Sequence, residues 1–192
     1  MYQLIFATNN AHKIAEIQSL VGPDFTIIDM KAAGIDIDIP EPHDTLNENA
    51  LEKAKTIFNI THTNCFSEDT GLEIEALNGA PGVKSARYAG EDRNFQANVD
   101  KVLDQLTKTE NRNAQFRTVI CLIWKEQTYY FEGICKGEIA LEMHGEKGFG
   151  YDPIFIPEGS QKSFAEMTME EKNTFSHRQK AVTQLFEFLR KQ

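Results

Sequence analysis

No stretch of this sequence approaches the roughly 20 consecutive apolar residues that a membrane-spanning helix requires, so no membrane partner is expected. Cysteine is scarce. Cys65, Cys121 and Cys135 are an odd number with no close pair, which suits reduced, packed thiols in a cytoplasmic protein better than a disulfide framework or a zinc site. Basic excess is also lacking: a net charge of −9 at pH 7 argues against nucleic acid, whose binding depends on a basic surface that displaces counterions. A phosphorylated ligand would need a locally basic site. The opening run from Met1 to Ala7 is too short for the apolar segment of a secretory signal and reads as a strand. Repeats, low-complexity segments and linkers are lacking too, so residues 1–192 read as one domain.

What the sequence does contain is an alternation of strand and helix patterns, hence an α/β fold. Tyr2 to Ala7 is the first strand, Thr8-Asn9-Asn10 a polar turn, and Ile14, Ile17, Leu20 and Val21 one face of a helix. Phe25 to Met30 is a second strand, followed by an acidic, proline-containing loop from Asp36 to Asp44. Thr45 with Glu48 forms a capping-box signature for a helix carrying Ala50, Ala54 and Ile57. Cys65 to Ser67 predicts a short strand ending at Glu68-Asp69, with Thr70-Gly71 as a turn before Leu72 to Ile74, and Gly79 to Gly82 as further punctuation. The spacing of Phe95, Val99, Val102, Leu103 and Leu106 predicts a helix, and Gln115 to Trp124 with Thr128 to Gly137 a long hairpin. A short strand from Pro153 to Ile156, a capping box at Thr168 and Glu171, and a last helix from Ser176 that buries Val182, Leu185, Phe186 and Leu189 complete the pattern.

Three features carry chemistry. His12 and Lys13 sit in the opening turn of the first helix, and His177 and Arg178 in that of the last, where the helix dipole disfavours cations by about 0.3–1 kcal/mol. Either pair alone could be a solvated accident; both together suggest helix termini that cradle phosphate. The second feature is acidic: Glu41 in the loop and Asp69 at a strand end offer the hard oxygens that magnesium takes, although scattered carboxylates are mostly solvated surface. The third is Gly148-Phe149-Gly150-Tyr151-Asp152-Pro153, where glycines let a ligand approach and Phe149 offers a face for stacking. Taken by themselves, these residues indicate a phosphorylated ligand and a metal.

Thr8-Asn9-Asn10-Ala11-His12-Lys13, Pro40-Glu41, Glu48-Asn49-Ala50 with Lys53, Glu68-Asp69-Thr70-Gly71-Leu72, Gly79-Ala80-Pro81-Gly82, Ser85-Ala86-Arg87-Tyr88, Phe149-Gly150-Tyr151-Asp152-Pro153 and Ser176-His177-Arg178 together resemble the inosine triphosphate pyrophosphatase family over nearly the whole chain. The resemblance implies an elongated α/β fold, with a mixed central sheet, flanking helices and two lobes around a substrate cleft, assembled as a homodimer. It implies hydrolysis of ITP, dITP and XTP to the monophosphate and pyrophosphate with Mg2+. Thr8, Asn9, Asn10, Ala11, His12 and Lys13 would hold the triphosphate, with Lys53 and Lys172 adding charge and Arg87 a further phosphate contact. Asp69 would accept a proton and, with Glu41, bind magnesium, while Thr70 touches substrate. Phe149, Gly150 and Tyr151 would carry the purine, and Asp152, His177 and Arg178 would read its edge. This chain departs from the family in having Asn9 where many relatives have glycine, and Pro42-His43 where a threonine-glycine pair is common. Two other readings share the phosphate site: a pyrophosphatase for modified pyrimidine or methylated nucleotides, which Ser176-His177-Arg178 argues against, and a nucleotide-binding regulator without turnover.

Overall fold

The computed structural model describes residues 2–192. By its contacts the chain divides into two compact units, each with its own apolar core. The first comprises the residues up to Asp69, Thr118–Gly133 and Arg178–Gln192; the second comprises Thr70–Arg117 and Ile134–His177. The strand order is β2-β1-β3-β5-β6-β7, with β4 added on β3, and the sheet is mixed as expected.

In the first unit β1 (Tyr2–Phe6) runs parallel to β2 (Phe25–Asp29), Tyr2 opposite Phe25 and Phe6 opposite Asp29. It is also parallel to β3 (Cys65–Ile74), with Ile5 opposite Cys65 and Phe6 opposite Phe66. Parallel neighbours need crossovers, and α1 (Ala11–Gln18) and α2 (Leu46–Thr61) lie in them. Asn10 starts α1 by accepting the N–H groups of His12 and Lys13 at 3.0 and 3.2 Å. Thr45 starts α2, its hydroxyl accepting the Glu48 N–H at 3.2 Å. The core joins Leu4, Phe6, Ile17 and Phe66 to Val182, Leu185, Phe186 and Leu189 of α5 (His177–Leu189). Phe6 and Phe66 stack at 4.6 Å, a contact worth about 0.5–1.5 kcal/mol beyond the area it buries. The expected hairpin is present as β5 (Asn113–Trp124) and β6 (Gln127–Ile139), and the ends that carry Ile120, Leu122 and Trp124 belong to this core. Lys125 and Glu126 turn it with φ of 49° and 66°, the positive values of a two-residue hairpin turn without the usual Asn-Gly.

In the second unit, β4 (Pro81–Gly82) pairs antiparallel with β3, and β7 (Phe155–Pro157) pairs antiparallel with β6. Here α3 (Phe95–Gln105) starts at Asn94, which accepts the Ala97 N–H at 3.0 Å, and α4 (Met169–Phe175) starts at the expected Thr168–Glu171 box, made in both directions. Leu72, Ile74, Val99, Val102, Leu106, Phe116, Ile154, Phe155 and Phe164 form the core.

The structure corrects four local expectations. No turn interrupts Glu68-Asp69-Thr70-Gly71: β3 continues for ten residues, so both acids lie within a strand. Gly71 serves proximity instead, since a Cβ there would stand 2.7 Å from the Gly82 carbonyl oxygen. The Gly79–Gly82 punctuation contains the strand responsible, with Leu72 opposite Gly82. Pro153 falls in a 3-10 turn, Asp152–Ile154, and the strand begins at Phe155. Phe95 is exposed rather than part of the apolar face of α3.

Cys65, Cys121 and Cys135 are buried and unpaired by disulfides, and burial pushes the thiols of Cys65 and Cys121 up to about 12. In native protein at pH 8 all three should resist a thiol reagent that titrates them at once in denaturant. Fast native labelling would show that these strands open. Because the folded thiols titrate above the ordinary 9.0, the stability they contribute is intact below pH 9 and is lost as the pH rises towards 12.

Candidate active site

Along the first half of β3 the side chains alternate sides, as a pleat requires. Cys65, Ser67 and Asp69 face α2. The Cys65 thiol donates to the Ala54 carbonyl at 3.3 Å, the Ser67 hydroxyl donates to the Ala50 carbonyl, and Lys53 Nζ donates to Asp69 Oδ1 at 3.1 Å. Phe66 and Glu68 face the opposite way, Phe66 into the core and Glu68 towards cations on α1 and α5. Two neighbouring acids therefore belong to two different charge groups.

The first group is Asp69, Lys53 and Glu41. Lys53 Nζ, on α2, lies 2.5 Å from Glu41 Oε1 as well as 3.1 Å from Asp69. Burial pushes the Asp69 carboxyl above the usual carboxylate range, against the pull of Lys53 and Lys13 and with the help of Glu41. Burial alone would lower the Lys53 ammonium, but Asp69 and Glu41 reverse this and hold it above its ordinary value.

The second group is neutral: Glu68 and Glu16 against Arg178 and Lys13. Arg178 donates from Nε and Nη2 to the two oxygens of Glu68 at 2.7 and 2.8 Å and from Nη1 to Glu16, while Lys13 Nζ sits 3.1 Å from Glu68 Oε1. The guanidinium is 1% exposed. Burial would raise the Glu68 carboxyl, yet Arg178 and Lys13 hold it well below the carboxylate range. The same partners hold Arg178 above its ordinary value.

These contacts revise the expectation drawn from the helix starts. The dipole cost at Lys13 and Arg178 is met by Glu68, an anion of the protein itself. Arg178, expected to offer its donors to a purine edge, has Nε, Nη1 and Nη2 engaged by carboxylates. At the start of α1, Asn10 occupies the N–H groups of His12 and Lys13, Thr8 accepts the Asn10 N–H at 3.2 Å, and Asn9 donates to the Ile37 carbonyl at 2.8 Å. Ala11 and His12 are exposed at this helix end. Glu16 and the part played by Glu68 were absent from the sequence reading. The available signal was the pair of helix-start cations in want of an anion.

In the second unit Asp152 is the hub. It accepts the Phe149 N–H at 2.9 Å and Lys172 Nζ at 2.7 Å, both on Oδ2, and the Lys172 ammonium also lies 5.4 Å from the Phe149 ring centre. Gly148, at φ 76°, leaves room for that carboxylate, which a side chain there would strike. The Phe95 ring lies 6.2 Å from Phe149. Tyr151 is buried and its hydroxyl donates to the Ser85 carbonyl at 2.8 Å, while Gly150 takes φ 63° between them. His177 is buried and stacked on Phe116 at 4.7 Å. Thr70 is half-buried in β3, and Arg87 makes a surface pair with Glu91 at 3.4 Å. The structure thus joins Phe149, Asp152 and Lys172 in one group.

Among the described residues no cluster of three or more His, Cys, Asp or Glu could hold a metal. Glu41 and Asp69 are nevertheless hard oxygen donors that converge on one cation, the Lys53 ammonium. Magnesium takes one or two carboxylates and completes its shell with water and phosphate oxygens, so this donor set fits it. A cavity of about 770 Å³ in the second unit, lined by Glu73, Glu75, Glu138 and Glu158 with Lys136, contains none of the expected residues, and its acidity disfavours a triphosphate.

The Ham1 family model matches residues 4–188. The dITP/XTP pyrophosphatase of Porphyromonas gingivalis is 52% identical over 190 residues, 98% of either chain. That of Flavobacterium psychrophilum is 50% identical over 188 residues, 98% of this chain and 99% of its own. Among solved structures, the Ham1 protein of Staphylococcus aureus matches with a TM-score of 0.88 at 39% identity over 98% of each chain. A HAM1 protein from Coxiella burnetii matches at 0.91 and 37% identity over the full length of both.

Removing one member of a buried ion group strands the others, so Arg178→Ala should cost ~3–5 kcal/mol in urea unfolding at pH 7. Glu68 titrates below its ordinary 4.5 when folded, so its contribution is present above that pH and is lost as the pH falls below it. Wild type should weaken below pH 4.5 more steeply than the variant. A cost under about 1 kcal/mol, as for a surface pair, would refute the buried group.

Proposed function

The chain belongs to the Ham1 family, and on that footing we propose that it hydrolyses the deaminated purine nucleotides ITP, dITP and XTP to the monophosphate and pyrophosphate, removing them from the nucleotide pool. The observation that carries the reading is the Glu41–Lys53–Asp69 group: two carboxylates that converge on one ammonium, with the Asp69 carboxyl raised by burial. A raised carboxyl is a stronger base.

In this reading Glu41 and Asp69 hold magnesium, which when bound would neutralise triphosphate oxygens. Asp69 accepts a proton from the attacking water, whose oxygen bonds to the α-phosphorus as the bond from that phosphorus to the bridging oxygen breaks; pyrophosphate leaves with the electron pair. Lys53 and Lys13 supply positive charge to the phosphates. Thr8 to His12, Thr70 and Arg87 are assigned to the same end of the substrate. Phe149 stacks on the purine, Gly150 and Tyr151 shape its loop, Lys172 adds charge, and Asp152 and His177 read the base edge. Arg178 reads the base edge with them and also holds Glu68 beside Asp69. Donors aimed at the 6-oxo group favour inosine and xanthosine, since an adenine 6-amino group would leave them unpaired.

The same reading includes a homodimer in the cytoplasm with neither nucleic acid nor membrane as partner. The acidic net charge supports the part concerning nucleic acid.

Pyrophosphate release from ITP is expected with magnesium and to stop when EDTA removes it. Asp69→Asn should lower kcat by ~10²–10⁴, since an amide accepts no proton at neutral pH. ITP binding without pyrophosphate release by the wild type would overturn the proposal in favour of a regulator.

A further inference from the structure

Between β2 and α2, residues 30–45 form turns and irregular backbone, yet they carry Glu41. Something must hold this loop if a carboxylate on it is to stand at a fixed point. Its early part is anchored by the buried side chains of Met30, Ile35 and Ile39, and by Asn9, which donates to the Ile37 carbonyl at 2.8 Å. Further on the anchor is Asn49. This residue is 1% exposed in the first part of α2, and its carboxamide grips one residue of the loop twice: Oδ1 accepts the His43 N–H at 3.0 Å and Nδ2 donates to the His43 carbonyl at 3.0 Å. An uncharged amide has an acceptor and donors side by side, so it can pair with both backbone groups as another peptide would.

Lys53 follows Asn49 by four residues, so the two share a face of α2. The helix therefore holds the loop at His43 through Asn49 and at Glu41 through Lys53, which lies 2.5 Å from the Glu41 carboxylate. The two holds differ in kind. A divalent cation joining Glu41 and Asp69 must share or displace the Lys53 contact, whereas the neutral grip on His43 is untouched by that exchange.

We propose that Asn49 is the positioning residue for Glu41, keeping this carboxylate in place towards Asp69 whether Lys53 or a divalent cation occupies the point between them. The consequence for magnesium rests on the pyrophosphatase reading above; the grip on the loop does not. Outer partners that orient a metal ligand are worth roughly 10- to 100-fold in metal affinity, and that is the effect expected here.

The test compares wild type, Asn49→Leu, Glu41→Gln and the double variant by calorimetric titration with magnesium in the presence of α,β-methylene ITP, and by amide hydrogen exchange at residues 41–43. Asn49→Leu keeps the branched shape, with slightly more bulk, and loses both hydrogen bonds. It should speed exchange at His43 and weaken magnesium about 10- to 100-fold, with half of that loss or less in the Glu41→Gln background, where the ligand it positions is gone. Equal losses in the two backgrounds would show a general effect on folding and overturn the proposal, as would unchanged exchange at His43. If Asn49→Leu fails to fold, Asn49→Asp replaces it, keeping the acceptor and losing the donor, with the same outcomes read. Should wild type neither bind magnesium nor hydrolyse ITP, the pyrophosphatase reading falls, while faster exchange at residues 41–43 in Asn49→Leu would still support the grip and unchanged exchange would still refute it.

Discussion

The candidate active site depends on one arrangement: adjacent carboxylates, Glu68 and Asp69, buried inside a strand. A buried carboxylate is costly unless paired, and the pleat sends these two to opposite sides, so each needs its own cation. Glu68 receives the bidentate fork of Arg178 with Lys13 beside it; Asp69 is hydrogen-bonded by Lys53, which it shares with Glu41, and feels Lys13 without such a bond. Satisfying the first so fully fixes α1 and α5 against β3. The second has two carboxylates converging on one ammonium, and this difference separates a structural ion group from one suited to a further cation.

The opposite pKa directions follow from the same contrast. Both carboxyls are buried, and burial alone would raise both. Glu68 ends below the ordinary range because a guanidinium meets both of its oxygens with Lys13 beside it, whereas Asp69 ends above it because Lys53, shared with Glu41, and Lys13 do not offset burial. An acid held ionised suits a scaffold. An acid poised to take a proton suits a base.

Much of this was legible in the sequence, and the limits have physical causes. The caps at Thr45 and Thr168, the hairpin, the last helix and the features with Lys13, Glu41 and Asp69 are local patterns, so they can be read from residue type and spacing, whereas Lys53 enters only through the family resemblance. Gly71 was misread because a glycine marks equally a turn and a close approach, and the approaching strand, Pro81–Gly82, is itself only two residues long. Glu16 was missed because a carboxylate beside Ile17 looks like the solvent edge of a helix until the partner Arg178, 162 residues away, is brought to it. Asn49 was visible as a motif letter, but its pairing with His43 is a contact between loop and helix that no periodicity encodes.

Helix-start cations show how a correct signal can admit the wrong partner. Dipole electrostatics state that Lys13 and Arg178 want an anion; they do not state whose. The structure supplies Glu68, so the motif that suggested a ligand contact is first a folding contact. Their sequence neighbours differ. His12 is exposed at the end of α1, and His177, one position before Arg178 on α5, turns about 100° away and stacks on Phe116. Substitutions at Arg178 therefore disturb the burial of Glu68, next to Asp69 in the chain, before they disturb any substrate contact. A fall in activity there says little about base recognition unless stability is measured on the same protein.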